Sequence, residues 1–300
     1  MGISAERERV NGFGGLEDGL RQASPWYLWG PYVSERQWGT VREDYSESGE
    51  AWGYLPHEQA RSRAYRWGED GLAGFCDVEE RLCLGLALWN GRDPILKERV
   101  FGLTGAEGNH GEDAKEYWWY LDAVPSHAWN RWRYHYPQAA FPYHDLVAQN
   151  GQRSKYEPEY ELLDTGVFDE DRYWITEVWY AKGDDPTDVL MTIEVTNAGP
   201  QVDTLHVLPT AWFRNTWSWD EEAAKPMLVG TGGSTVATDH PFLGALELVA
   251  GPGPDGAPPQ LLFCENETNA ARLFASPSST PYPKDGINDH VVHGADTVNP

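Results

Sequence analysis

The feature that most constrains this chain is a succession of β-type segments between residues 172 and 213. Tyr173-Trp174-Ile175-Thr176-Glu177-Val178-Trp179-Tyr180 is rich in β-branched and aromatic residues and is followed by Lys182-Gly183-Asp184-Asp185-Pro186. Val189-Leu190-Met191-Thr192-Ile193-Glu194-Val195 then runs to the turn Asn197-Ala198-Gly199-Pro200, and Val202–Phe213 completes the series. Branched and aromatic side chains fit a pleated, half-buried surface, whereas Gly, Pro and Asp punctuate it. The pattern predicts a three-stranded meander. Strands at such short spacing predict a mainly β chain built as an antiparallel β-sandwich.

Upstream segments carry the same signature. Leu82–Trp89 is a continuous apolar run of strand length ended by Asn90-Gly91, a hairpin signal that predicts a returning strand over Ile95–Leu103. Glu116–Asp122 is aromatic-rich. In Trp129–Tyr136, the rings Trp132, Tyr134 and Tyr136 alternate with Arg131, Arg133 and His135, the period of a strand with one buried face. Further strands are expected at Ser234–Thr238, Ala245–Val249 and Gln260–Cys264. A short helix is expected over 56–67, where Pro56 suits a first turn and no breaker follows between His57 and Arg66. The domain reading is a flexible, Gly-rich segment over 1–24, a β domain with aromatic-rich N-terminal loops over 25–264, and a polar loop or linker over 265–300.

Charge and motif content exclude several functions. With 23 Lys+Arg against 47 Asp+Glu the net charge is −24, which repels nucleic-acid phosphates and anionic membrane surfaces. Neither is an expected partner. No run approaches the length of a membrane-spanning helix, and the N-terminus lacks a hydrophobic signal core, so a cytoplasmic protein is expected. Cys76, Cys83 and Cys264 are odd in number and form no CxxC, which argues against a disulfide framework and a four-thiolate zinc site. Cys83, inside an apolar run, reads as a small buried hydrophobe. No HExxH, EF-hand loop, P-loop, GxGxxG or GxSxG occurs, and no metal or cofactor is expected. The adjacent acids Glu43-Asp44, Glu69-Asp70, Glu112-Asp113 and Asp169-Glu170-Asp171 read as solvated turn residues. Neighbours on a strand point to opposite faces, so no single dipeptide supplies the two facing carboxylates of glycoside hydrolysis.

Tryptophan is the abundant residue. All 15 lie between Trp26 and Trp219. Most are expected in the core, since such rings are large and highly buried on average. Two constellations mix indoles with polar side chains: Trp29 to Tyr45, containing Trp38 and Arg42, and Trp212-Phe213-Arg214-Asn215-Thr216-Trp217-Ser218-Trp219-Asp220. Aromatic faces stack on sugar rings while bidentate side chains bond paired hydroxyls, so Trp38, Arg42, Trp217 and Trp219 are candidate carbohydrate-binding residues. An aromatic core with internal ion pairs explains the same residues.

Several blocks together resemble a known family. Trp29-Gly30-Pro31-Tyr32-Val33-Ser34-Glu35-Arg36-Gln37-Trp38-Gly39-Thr40-Val41-Arg42-Glu43-Asp44-Tyr45-Ser46 is similar to the opening of large bacterial glucosidases related to glycoside hydrolase family 63, the mannosyl-oligosaccharide glucosidases. Gln59–Gly71, Leu88-Trp89-Asn90-Gly91, Pro94–Arg99, Glu107–Asp113, Tyr160–Phe168 and Trp212–Trp219 extend the resemblance. It implies an N-terminal β-sandwich followed by a catalytic toroid of helical hairpins, and inverting hydrolysis of α-glucosides. In the family both catalytic carboxylates lie on the toroid, which is expected beyond residue 300. No catalytic residue is therefore assigned within this chain, and the chain alone is expected to be inactive. A free-standing carbohydrate-binding sandwich is the alternative expectation.

Overall fold

The computed structural model describes residues 2–11, 24–33, 56–66, 72–100, 116–220 and 222–300. The described chain is mainly β and forms three antiparallel sheets. Its strands are β1 (Trp29–Gly30), β2 (Gly74–Asp77), β3 (Leu82–Trp89), β4 (Trp118–Ala123), β5 (Trp129–Pro137), β6 (Tyr173–Lys182), β7 (Val189–Asn197), β8 (His206–Phe213), β9 (Val229–Gly232), β10 (Thr235–His240) and β11 (Gly244–Val249). The helices are α1 (Gly2–Arg9), α2 (His57–Ala60), α3 (Tyr143–Asn150), α4 (Ala270–Phe274) and α5 (Gly286–His293). None of them is long and apolar enough to cross a membrane. Two compact units are present: Met1–Ala60 with Trp67–Ala211, and Arg61–Arg66 with Trp212–Pro300.

The first unit holds two four-stranded sheets, ordered β1-β2-β3-β8 and β4-β5-β6-β7. Period two places Trp132, Tyr134 and Tyr136 of β5 in the core and leaves Arg131, Arg133 and His135 on the opposite face, partly exposed. The register Trp132↔Val178 and Tyr136↔Trp174 brings β6 residues into the same layer. Phe75, Leu86 and Leu88 from β2 and β3 join that cluster, where the Phe75 ring stacks on Tyr180 at 5.1 Å.

The core tyrosines carry hydroxyls that burial obliges the fold to satisfy. Tyr136 donates to Asp93 Oδ2 at 2.5 Å, and Tyr180 to the Leu84 carbonyl at 3.1 Å. Tyr134 donates to Glu116, which also receives the Lys97 ammonium at 2.7 Å. Lys97 reaches the Tyr143 hydroxyl at the start of α3, and its Nζ lies 3.8 Å from the Phe141 ring centroid. Burial raises the Glu116 carboxyl above its ordinary range, against the opposing pull of Lys97.

Several expected elements differ. The meander is not formed: β6 pairs with β7 from Trp174↔Asn197 to Lys182↔Val189, while β8 lies beside β3 in the other sheet. β3 is apolar along its length and takes a neighbour on both edges. The outer position suits β8, whose Pro209 has no N–H to give a further strand. The returning strand over 95–103 is reduced to a bridge, Leu88↔Lys97, and residues 101–103 lie outside the described chain. The preceding turn is fixed instead, because Asn90 Oδ1 accepts from the backbones of Arg92 and Asp93. The segment expected to be a flexible lead-in carries α1, whose Glu6 accepts from the Ser126 backbone and hydroxyl at 2.8 and 2.9 Å.

In the second unit β9, β10 and β11 form a small meander with β10 central. It turns between β9 and β10 at Gly232 and Gly233, both at positive φ. Gln260–Cys264 contributes a single bridge, Phe263↔Asn299, rather than a strand. Residues 265–300, expected to be a linker, contain α4 and α5. Their polarity has a structural use. Asp285, 2% exposed, accepts from Ser62 Oγ at 2.5 Å, from Asn269 and from Arg272. The helix expected over 56–67 ends at Ala60 for the same reason. The amides of Ala64 and Tyr65 bond Thr268 Oγ1 at 3.0 Å and Asn266 Oδ1 at 2.8 Å instead of helix carbonyls.

The Lys97–Glu116 pair is enclosed, with side chains 1% and 2% exposed. Removing one partner strands a charge, so Lys97→Met is expected to cost about 3–5 kcal/mol, read as a lower urea midpoint. Lys97→Met combined with Glu116→Leu should recover much of that loss; a double variant no more stable than the single one contradicts the account.

Candidate functional site

Of the four candidate carbohydrate contacts, Trp38 and Arg42 lie outside the described residues, as do Glu43-Asp44, Glu69-Asp70 and Glu112-Asp113. Asp169-Glu170-Asp171 forms an exposed turn with Glu170 and Asp171 at positive φ, as solvated turn acids should.

Trp217 and Trp219 fall in one short turn of 3-10 helix in the second unit. The turn is held from below by Asn215, which is fully buried. Its amide donates to the Tyr65 carbonyl at 2.6 Å, its Oδ1 accepts from the Ser218 backbone, and its Nδ2 donates to the Asn266 carbonyl at 2.6 Å. Asn266 returns two bonds, to the carbonyls of Tyr65 and Phe213. A turn anchored at both ends presents its side chains in fixed positions.

One of those side chains, Trp217, meets a polar rail that local sequence did not announce. The Trp217 indole N–H donates to Glu267 Oε1 at 2.7 Å, and the Asn215 amide reaches the other oxygen at 3.2 Å. The Lys225 ammonium bonds Glu267 at 3.2 Å and Glu265, and stands 5.4 Å from the Trp217 ring centroid. Trp219 is 51% exposed. The Trp217 indole therefore lies beside carboxylate oxygens and an ammonium, donors and acceptors together, which suits a neutral, hydroxyl-rich ligand better than an ion of one sign. Glu265 and Glu267 lie about fifty residues downstream of the tryptophans in a stretch without periodicity, so only the fold reveals them.

A second aromatic–polar surface lies on the outer face of β4–β7 in the first unit. The register Trp119↔Arg133↔Glu177↔Glu194 and Arg131↔Trp179 brings indoles, guanidiniums and carboxylates together on that face. Glu177 accepts from Arg131 and from Arg133 Nε at 2.7 Å, and the Arg131 guanidinium stands 5.0 Å from the Trp179 ring centroid. Trp119 meets His135 edge-on at 4.9 Å, and His135 stacks on Tyr173 at 4.9 Å. Burial alone would raise the Glu177 carboxyl, but the two guanidiniums outweigh it and hold the group below its ordinary range. The alternation of Arg131, Arg133 and His135 was visible in the sequence; their pairing with Glu177 required the register. Among the described residues no group of three or more His, Cys, Asp or Glu is placed to hold a metal ion.

Comparison with known proteins gives one informative relative. The chain is 39% identical over 317 aligned positions to uncharacterized protein YMR196W of Saccharomyces cerevisiae (strain ATCC 204508 / S288c), a match that takes in 95% of this chain and 29% of the yeast protein. No family model matches the chain, and no solved structure matches it.

The Glu177 geometry sets a pH dependence. A carboxyl depressed in the folded state contributes stability above its unfolded pKa of about 4.3, and that contribution fades as pH falls through the lower folded value. Glu177→Gln is expected to lose about 1–2 kcal/mol at pH 7 and to show a flatter decline of stability below about pH 4 than the parent. Parallel urea melts from pH 7 to pH 3 measure it; an unchanged acid slope counts against the two-arginine account.

Proposed function

We propose that this chain is the β-sandwich portion of a longer glycoside hydrolase of the α-glucosidase type, related to family 63 and acting on oligosaccharides or small glucosides. In this reading the sheets β1-β2-β3-β8 and β4-β5-β6-β7 are the layers of the sandwich. The carboxylic acid that protonates the leaving oxygen and the carboxylate that activates water belong to a helical domain outside these residues. The 29% share of the yeast relative matched by the chain is consistent with a larger whole.

The observation that supports the carbohydrate assignment most is the Trp217 ring set against Glu267 and Lys225, on the same turn as the 51% exposed Trp219. Side chains on a turn that Asn215 and Asn266 hold in place cost little further ordering when a sugar ring settles on them. Carboxylate acceptors and an ammonium donor alongside match the mixed valence of vicinal hydroxyls.

Two measurements test the reading separately. Titrating α-glucosides into the 300-residue chain should give saturable tryptophan quenching that Trp219→Ala weakens about tenfold, or about 1.4 kcal/mol. A flat titration removes the binding role. The chain itself should not hydrolyse α-glucosides, whereas a longer protein carrying the downstream sequence should; turnover by the short chain, or none by the long one, overturns the hydrolase assignment.

A further inference from the structure

Cys76 and Cys83 stand directly opposite each other in the antiparallel pair β2–β3. Both are free and fully buried. Their separation follows from the backbone. In an antiparallel ladder, residues i and i+2 of a strand turn their N–H and C=O groups to the same side. The Val78 amide bonds the Leu28 carbonyl at 2.8 Å, on the β1 side of β2, so the backbone of Cys76 also faces β1. Cys76 and Cys83 therefore form a non-hydrogen-bonded pair, the closer of the two kinds, with Cα atoms about 4.5 Å apart. That falls inside the window of roughly 4.4–6.8 Å that a disulfide spans without backbone movement.

The surroundings keep the two side chains facing each other. Phe75 and Leu84, one residue along, point into the core, so both thiols point to the opposite face. The strands approach closely there, since a Cβ on Gly74 would meet the Leu84 carbonyl oxygen at 2.5 Å. The connecting turn is locked by Asp77, which accepts from the amides of Glu79, Arg81 and Leu82 at 3.0, 2.7 and 2.8 Å. Burial, together with the neighbouring Cys83, pushes the Cys76 thiol well up.

We infer that Cys76 and Cys83 are a cross-strand dithiol that closes to a disulfide by exchange with a small-molecule disulfide such as oxidised glutathione. The thiolate of one cysteine attacks the small disulfide, forming a mixed disulfide and releasing one small thiol. The second cysteine attacks the mixed bond, forming Cys76–Cys83 and releasing the other. The two cysteine protons end on the two released thiols; the cysteines are oxidised and one small disulfide is reduced. The reagent enters by local opening at β1, a strand of two residues at the edge of its sheet among the described residues. The reaction is therefore slower than at Cys264, which is partly exposed.

The test is a native incubation of the 300-residue chain with oxidised glutathione, followed until Cys264 is fully modified. Free thiols are then alkylated in denaturant and the chain is digested with trypsin. Cleavage after Arg81 places Cys76 and Cys83 on different peptides. The expected result is a linked peptide pair with a mass loss of two hydrogens, abolished by reductant. Cys83→Ser should convert Cys76 to a glutathione adduct or leave it free, with no linked pair, and Cys264→Ser should leave the linked pair unchanged. Full alkylation of both Cys76 and Cys83 after Cys264 has been consumed overturns the inference. So does linkage of either to Cys264 in place of each other.

Discussion

A core made of tyrosine and tryptophan must bury polar atoms together with its rings, and the first unit depends on how that requirement is met. Tyr134 and Tyr136 lie in a core cluster to which strands of both four-stranded sheets contribute, and each hydroxyl reaches a buried carboxylate, Glu116 or Asp93. Burying a carboxylate is costly unless a cation or donor joins it. Glu116 recruits Lys97, and Lys97 recruits the Tyr143 hydroxyl at the start of α3. Asp93 recruits the Phe141 amide at 2.6 Å. Strands and connections far apart in sequence are thus tied by one need, the satisfaction of phenolic hydroxyls.

This dependence explains which parts of the fold were legible beforehand. β3, β5, β6 and β7 announce themselves because each carries its own hydrophobic pattern and needs no partner to be recognised. The destination of β8 was not legible: a strand pattern states what a segment is, not which edge it joins. Residues 265–300 looked like a linker because their contribution is made through Asn266, Asn269 and Asp285, side chains that any hydropathy pattern reads as solvent-facing. Position 60 ends a helix for reasons found some two hundred residues away.

The candidate site divides in the same way. Trp217, Trp219 and Asn215 are neighbours in sequence, and a reader looking for aromatic–polar mixtures finds them. Glu265, Glu267 and Lys225 complete the patch only through the fold. The surface around Glu177 is intermediate: half of it, the arginine–histidine alternation of β5, is written in the local sequence, and the other half arrives from β6 with the register. The cysteines show the opposite case: their count argues against a disulfide framework, while strand pairing sets two thiols face to face.

The placement of Arg61–Arg66 bears on how the protein is made. Apart from the Asn215 bond to the Tyr65 carbonyl, its backbone is bound by residues 201 to 223 positions further along the chain, and its Ser62 hydroxyl by Asp285. Such separations lie at the slow end of what loop closure permits, and synthesis proceeds from the N-terminus. When the six residues leave the ribosome, the asparagines, threonine and aspartate that will grip them have not been translated. The second unit therefore closes after synthesis has passed residue 285, around a strand of chain that has waited through most of translation with its amides bonded to water. A nascent chain halted before that point is a different object from the finished protein, with an occupied first unit and a vacant strap.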